Sequence, residues 1–97
     1  MNVMVARIYV TEGKHVYEEI FQRLHDEHKV HGVTIFRGIS GFGHSGEMHS
    51  SSLLDMSFDL PVIIEFFDDE QKVQAVIKAL NDIVPEAHIL TFPANLS

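Results

Sequence analysis

A chain of 97 residues with no cysteine is long enough for one domain, spanning 1–97, and has neither a disulfide framework nor a thiolate metal site. Its 7 basic and 14 acidic side chains give a formal net charge of −7. That balance argues against nucleic acid as a partner, which needs a cationic footprint, and disfavours an anionic membrane surface. No apolar run nears the ~18 residues of a membrane span, and Met1 to Arg7 carries no basic leader region. A cytoplasmic protein, not itself embedded in a membrane, is expected.

In chain order, Val3 to Val10 alternates and is rich in β-branched residues, which predicts a strand. Thr11-Glu12-Gly13-Lys14 is a turn. From His15 to about His28, Val16, Tyr17, Ile20, Phe21 and Leu24 fall at the spacing of an amphipathic helix. Glu18 and Glu19 suit the first turn of its dipole, and Lys29 lies near its end. Gly32 follows the helix exit, and Val33 to Arg37 reads as a second strand. A segment without helix pattern then runs to Leu60-Pro61.

Leu60 to Phe67 is a third strand, with Pro61 acceptable only at its beginning or on an edge. Asp68-Asp69-Glu70 supplies a cap and an acidic first turn. Val73, Val76, Ile77, Leu80 and Val84 mark a second helix, limited by Pro85. His88 to Phe92 is a last short strand, followed by Pro93 and a frayed tail. The order β-α-β-β-α-β is the ferredoxin-like split pattern of an α+β fold: a four-stranded antiparallel sheet with two helices on one face.

Two helices cover only one face of such a sheet, yet both faces are largely apolar. Met4, Ala6, Ile8 and Val10 alternate with Val3, Val5, Arg7 and Tyr9 in the first strand; Val62, Ile64 and Phe66 alternate with Ile63, Glu65 and Phe67 in the third. Soluble monomers rarely expose a wide apolar area. The second face is therefore expected to be buried by other copies of the chain, with Arg7 and Glu65 as an ion pair within it.

The stretch from Arg37 to His49 concentrates four of the six glycines and two of the seven histidines. Gly38, Gly41, Gly43 and Gly46 match neither a Walker loop, which ends in Gly-Lys-Ser/Thr, nor a Rossmann fingerprint, since no helix pattern follows. Glycines after a strand allow positive φ and can turn backbone N–H groups toward an anion. Arg37 could add its fork of donors. The alternative is a flexible or bulged hairpin arm. His44-x-x-Glu47-x-His49 could share a zinc, copper or nickel ion if the chain bends at Gly46; the alternative is a polar exposed loop.

Other sets are weaker. His25 and His28 lie three apart on the first helix, with His31 beyond, and read more simply as polar residues near a helix C-terminus. Gly13-Lys14-His15 could meet an anion or be an ordinary turn. Ser52-x-x-Asp55 resembles a capping box, while Leu54, Met56, Phe58 and Leu60 alternate as an extended arm would. No nucleophile, orienting acid and oxyanion hole occur together, so no enzyme is indicated.

The run Arg37-Gly38-Ile39-x-Gly41-Phe42-Gly43, then Met48-His49 and Asp59-Leu60-Pro61-Val62-Ile63-Ile64-Glu65, resembles the PII-like family catalogued as domain of unknown function one-ninety. The likeness extends through the Gly-Lys turn and Tyr17-Glu18 to the second helix. It implies a ferredoxin-like subunit of a PII-type homotrimer, with residues 38–60 in the place of the T-loop. PII proteins bind adenine nucleotides between subunits and grip partners, often membrane transporters, through that loop; relatives of this family are associated with fluoride-exporter-type membrane proteins. Neither Tyr9 nor Tyr17 lies where PII carries its uridylylated tyrosine. Nothing beyond Lys78 is Lys or Arg, although PII uses basic residues after its second helix. This points away from a triphosphate and toward a less charged nucleotide, another small anion or a divalent metal. By position, the resemblance makes Arg37, Gly38, Gly41, Gly43 and His49 the ligand-binding residues. The expected function is a non-enzymatic regulatory protein whose effector biases the segment's grip on a partner such as a transporter or channel. A metal-binding protein using His44, Glu47 and His49 is the alternative, and a small enzyme at a subunit interface a distant third.

Overall fold

A computed structural model describes residues 1–43, 48–50 and 59–97. Strand β1 (Asn2–Thr11) leads through a tight turn to helix α1 (Val16–Gln22). Strands β2 (Gly32–Arg37), β3 (Ser40–Phe42), β4 (Met48–Ser50) and β5 (Pro61–Asp68) follow. Helix α2 (Glu70–Ala79) and strand β6 (Ile89–Asn95) complete the chain. The four long strands form one sheet in the order β2-β5-β1-β6, and β3 pairs with β4 separately. All pairings are antiparallel. The α+β ferredoxin-like architecture read from the sequence is the one observed.

Period-two alternation sends Ala6 and Ile8 of β1, and Val62, Ile64 and Phe66 of β5, to the helical side of the sheet. Ile20 and Leu24 meet them from the first helical stretch, and Val73, Val76 and Leu80 from the second. Phe66, Ile8 and Ile64 have no solvent exposure. Strand β1 sits between two neighbours, so Arg7 faces Glu65 on one side and Leu90 on the other.

Three boundaries differ from the sequence reading. The first helix widens into a π-helical stretch at Arg23–His28 and ends at Lys29 in a left-handed conformation, φ 49. Ile20 and Leu24 face the core either way, so apolar spacing does not register the change. Helix α2 ends before Val84, which is nonetheless buried in the core cluster, its N–H returning to the carbonyl of Leu80 at 2.9 Å. Strand β6 continues through Pro93 to Asn95 rather than fraying. It is an edge strand, where a residue without an N–H is tolerated. Pro93 stands opposite Met4, and Leu96 N–H reaches the carbonyl of Met1 at 2.7 Å.

The start of α2 follows the sequence reading. Asp69 caps the helix by accepting from the Lys72 N–H at 2.9 Å. Asp68 accepts from the N–H groups of Asp69 and His31 and lies 3.2 Å from the Lys72 ammonium. Burial pushes the Asp68 carboxyl up, but these donors outweigh it and hold it below the usual carboxylate range. A depressed carboxylate stabilises the fold fully above its unfolded-state pKa and loses that contribution as pH falls through the folded-state value. Asp68→Asn should therefore lower the melting temperature at neutral pH, with the gap to wild type closing in strong acid. Paired thermal melts across the acid range check this.

The other face of the sheet carries Tyr9, Phe36 and Leu90, 40%, 48% and 51% exposed. At its middle, Arg7 Nε donates to Glu65 Oε1 at 2.8 Å, and the guanidinium lies 5.1 Å from the centre of the Phe92 ring. The pair expected from the sequence is present on an apolar face that neither helix covers.

Candidate anion site at the base of the 38–60 segment

At the end of β1 the backbone makes one 3-10 turn, Glu12–Lys14, and passes through His15 at φ 54 into α1. Both ends of the 38–60 segment are fastened at this corner of the fold. Glu12 N–H donates to the carbonyl of Leu60 at 2.9 Å, and Gly13 N–H donates to Asp59 Oδ1 at 2.9 Å. Gly38 N–H donates to the carbonyl of Pro61 at 2.7 Å. These bonds extend the sheet's end by one layer and bring Arg37, at the end of β2, beside Glu12.

Arg37 Nη2 forms an ion pair with Glu12 Oε1. The Glu12 side chain is only 8% exposed, whereas that of Arg37 is 67% exposed. A buried carboxylate thus lies behind an outward-facing guanidinium. Arg37 has five N–H donors in a planar fork, so pairing through one nitrogen leaves others for a ligand. Tyr17 borders the pair. Its hydroxyl pKa is pushed up first by desolvation, then by the neighbouring carboxylates of Glu18 and Glu12, with Arg37 opposing.

The glycines act here through close approach rather than left-handed geometry. A Cβ on Gly38 would stand 2.7 Å from Pro61 Cγ, and one on Gly13 would stand 2.7 Å from Asp59 Oδ1. Gly38, Gly41 and Gly43 all lie outside the left-handed region. Gly38 N–H is committed to Pro61, whereas Arg37 keeps side-chain donors facing outward here. Gly41 lies farther along, opposite His49 in the β3–β4 ladder, and a Cβ on Gly43 would meet open space. The hairpin arm weighed as an alternative for this stretch is what β3 and β4 form.

Of the expected ligand residues, the fold brings Arg37 and Gly38 to the base and sets Gly41 against the backbone of His49 on the arm. His44 and Glu47 lie outside the described residues, as do Ser52, Asp55, Leu54, Met56 and Phe58. His25 Nδ1 lies 2.7 Å from Asp26 Oδ1, while the His31 ring packs 5.3 Å from that of Phe67. Among the described residues, no three His, Asp or Glu side chains gather as a group able to hold a metal. Surface hollows lie beside β6, lined by Asn2, Met4, Glu70 and Pro93 among others, and beside the π-helical stretch; neither includes Arg37. Glu12 was not singled out by the sequence, which shows it only as a turn residue. Its partners, the Leu60 carbonyl at its N–H and Arg37 at its carboxylate, lie far off in the sequence.

The architecture is the ferredoxin-like fold that PII-like proteins share. The chain matches DUF190, described as an uncharacterized ACR, over residues 1–96, and it belongs to that family. It is 32% identical over 69 residues to a UPF0166 protein of Aquifex aeolicus; the match covers 71% of this chain and 65% of that relative, just under two thirds of its length. In three dimensions it resembles CPII, a nitrogen regulatory PII-like protein from Thiomonas intermedia K12 solved with ADP and bicarbonate. The TM-score is 0.75 at 22% identity, covering 99% of this chain and 89% of that one. The divalent cation tolerance protein CutA1 of Thermus thermophilus shares the fold at a TM-score of 0.67 and 16% identity, covering 98% of this chain and 86% of that one. Among the described residues, no helix is long and apolar enough to cross a membrane.

Proposed function

We propose that this is a non-enzymatic regulatory protein of the cytoplasm, a single-domain homotrimer that binds a small anionic effector between subunits. The reading rests on one observation above all: the Arg37 guanidinium is two-thirds exposed, yet anchored from behind by Glu12 where both ends of the segment meet. CPII, with ADP and bicarbonate, supports an adenine nucleotide or another small anion as the effector class. Binding at the base would shift how the 38–60 segment grips a partner protein, with a transporter or channel as the partner class. A ligand can shift such an equilibrium only through its different affinity for the two states. Arg37, Gly38, Gly41, Gly43 and His49 are the proposed ligand-binding residues.

Metal binding through His44, Glu47 and His49 is the second reading, and the shared fold with a divalent cation tolerance protein favours testing it. Thermal-shift titration separates the two, because a ligand that binds only the folded state raises the melting temperature. A shift with an adenine nucleotide supports the effector reading. A shift with divalent metal alone, lost in His49→Ala, supports the second reading and contradicts the first.

A further inference from the structure

We propose that Glu12 sets the charge selectivity of the Arg37 site: its buried carboxylate offsets the guanidinium, so the site favours low-charge anions and discriminates against each added phosphate. The inference rests on the effector-binding reading of Arg37 and adds to it the residue that decides which anions are accepted.

Three observations carry it. First, the ion pair is lopsided, with Glu12 8% exposed and Arg37 67% exposed. If Arg37 swung out to follow a ligand, Glu12 would remain in place without its counter-charge. Leaving a buried carboxylate without its counter-charge is unfavourable. Arg37 therefore stays paired and meets its ligand with its remaining donors. Second, the carboxylate of Asp59 is fastened to Gly13 N–H, next to Glu12 in the same turn. Two carboxylates, Glu12 and Asp59, thus meet the same turn at which Arg37 stands. Tyr17 borders the same corner, its hydroxyl pushed up first by desolvation and then by Glu18 and Glu12, with Arg37 opposing. Third, the chain has no Lys or Arg beyond Lys78 that could supply a compensating cation from β6.

An incoming anion meets directional N–H donors with little net positive potential behind them. Hydrogen bonds to a single phosphate or carboxylate remain favourable in such a place. Further phosphates bring charge that a guanidinium already offset by Glu12 attracts only weakly. Removing the Glu12 charge while keeping its shape should reverse the preference.

Calorimetric titration of the full-length protein with AMP, ADP and ATP at one ionic strength tests this directly. Wild type should bind ATP no more tightly than AMP. In Glu12→Gln, the ATP:AMP affinity ratio should rise on the order of tenfold, because Arg37 then acts at full charge. Glu12→Asp, which keeps the charge, should retain the wild-type ratio even if both affinities fall. A purely structural role for Glu12 would move all three affinities together. An unchanged ratio in Glu12→Gln, with nucleotide still bound, would overturn the selectivity role and leave the effector reading standing. Wild type binding none of the three nucleotides would overturn the selectivity role together with the nucleotide form of that reading. If Glu12→Gln does not fold, the wild type decides alone: ATP binding that weakens with added salt more steeply than AMP binding would show an uncancelled cationic site and overturn the proposal.

Discussion

Phe36→Glu should turn the assembled protein into a monomer while leaving the subunit folded. Phe36 stands opposite Ile63, which in turn stands opposite Tyr9, forming an apolar row across β2, β5 and β1 on the face without helices. In the free subunit its side chain is half in water, at 48% exposure, so a glutamate there keeps its hydration. Exposed substitutions of this kind usually change stability by no more than about 0.5 kcal/mol. Once another subunit covers the face, the same carboxylate loses water without gaining a partner. That costs several kcal/mol per buried charge, and a symmetric assembly repeats the cost in every copy. Sedimentation velocity should show the assembled wild type and a monomeric variant with an unchanged circular dichroism spectrum. An oligomer of unaltered mass would mean that the subunits meet elsewhere. Arg7 and Glu65, directly opposed on this face and 2.8 Å apart, satisfy one another within the subunit.

Arg37→Ala should abolish the melting-temperature response to nucleotide and also lower the melting temperature of the free protein. The first effect follows from losing the exposed donors at the base of the segment. The second follows from Glu12, whose carboxylate would remain buried without its ion-pair partner. Leaving such a group without its partner costs about 1–3 kcal/mol. In a domain of this size that corresponds to a fall of roughly 4–8 °C per kcal/mol. Combining it with Glu12→Gln should recover part of the lost stability, because a neutral amide is cheaper to bury than a lone carboxylate. Differential scanning calorimetry of the four proteins checks the pattern. Strict additivity of the two substitutions would show that the pair contributes nothing as a pair.

The sequence made the sheet and helices legible because their signals are local. Alternation in Val3 to Val10 and Leu60 to Phe67, helical spacing from Tyr17 to Leu24, and the Asp69 cap each depend on neighbours within a few residues. The Arg7–Glu65 pair was legible because one charge in each of two apolar strands restricts the plausible registers. Long-range features were not. The continuation of β6 past Pro93 depends on pairing with residues at the opposite end of the chain. The π-helical stretch at Arg23–His28 leaves the buried positions of Ile20 and Leu24 unchanged, so it writes no separate pattern. At the site, Arg37 stood out by its place before the glycines. The need for Gly38 came from Pro61 rather than from positive φ, and the partners of Glu12 are Arg37 and Leu60. Both are contacts between separate parts of the chain.

Native mass spectrometry of the gently purified protein tests the central claim most directly, because it weighs the assembly and whatever it carries together. The expected species has three times the 11.0 kDa chain mass, and it should gain the mass of a nucleotide when AMP or ADP is added. Arg37→Ala should form the same assembly without that gain. A single 11.0 kDa chain, or a trimer that takes up divalent metal but neither nucleotide, would contradict the account.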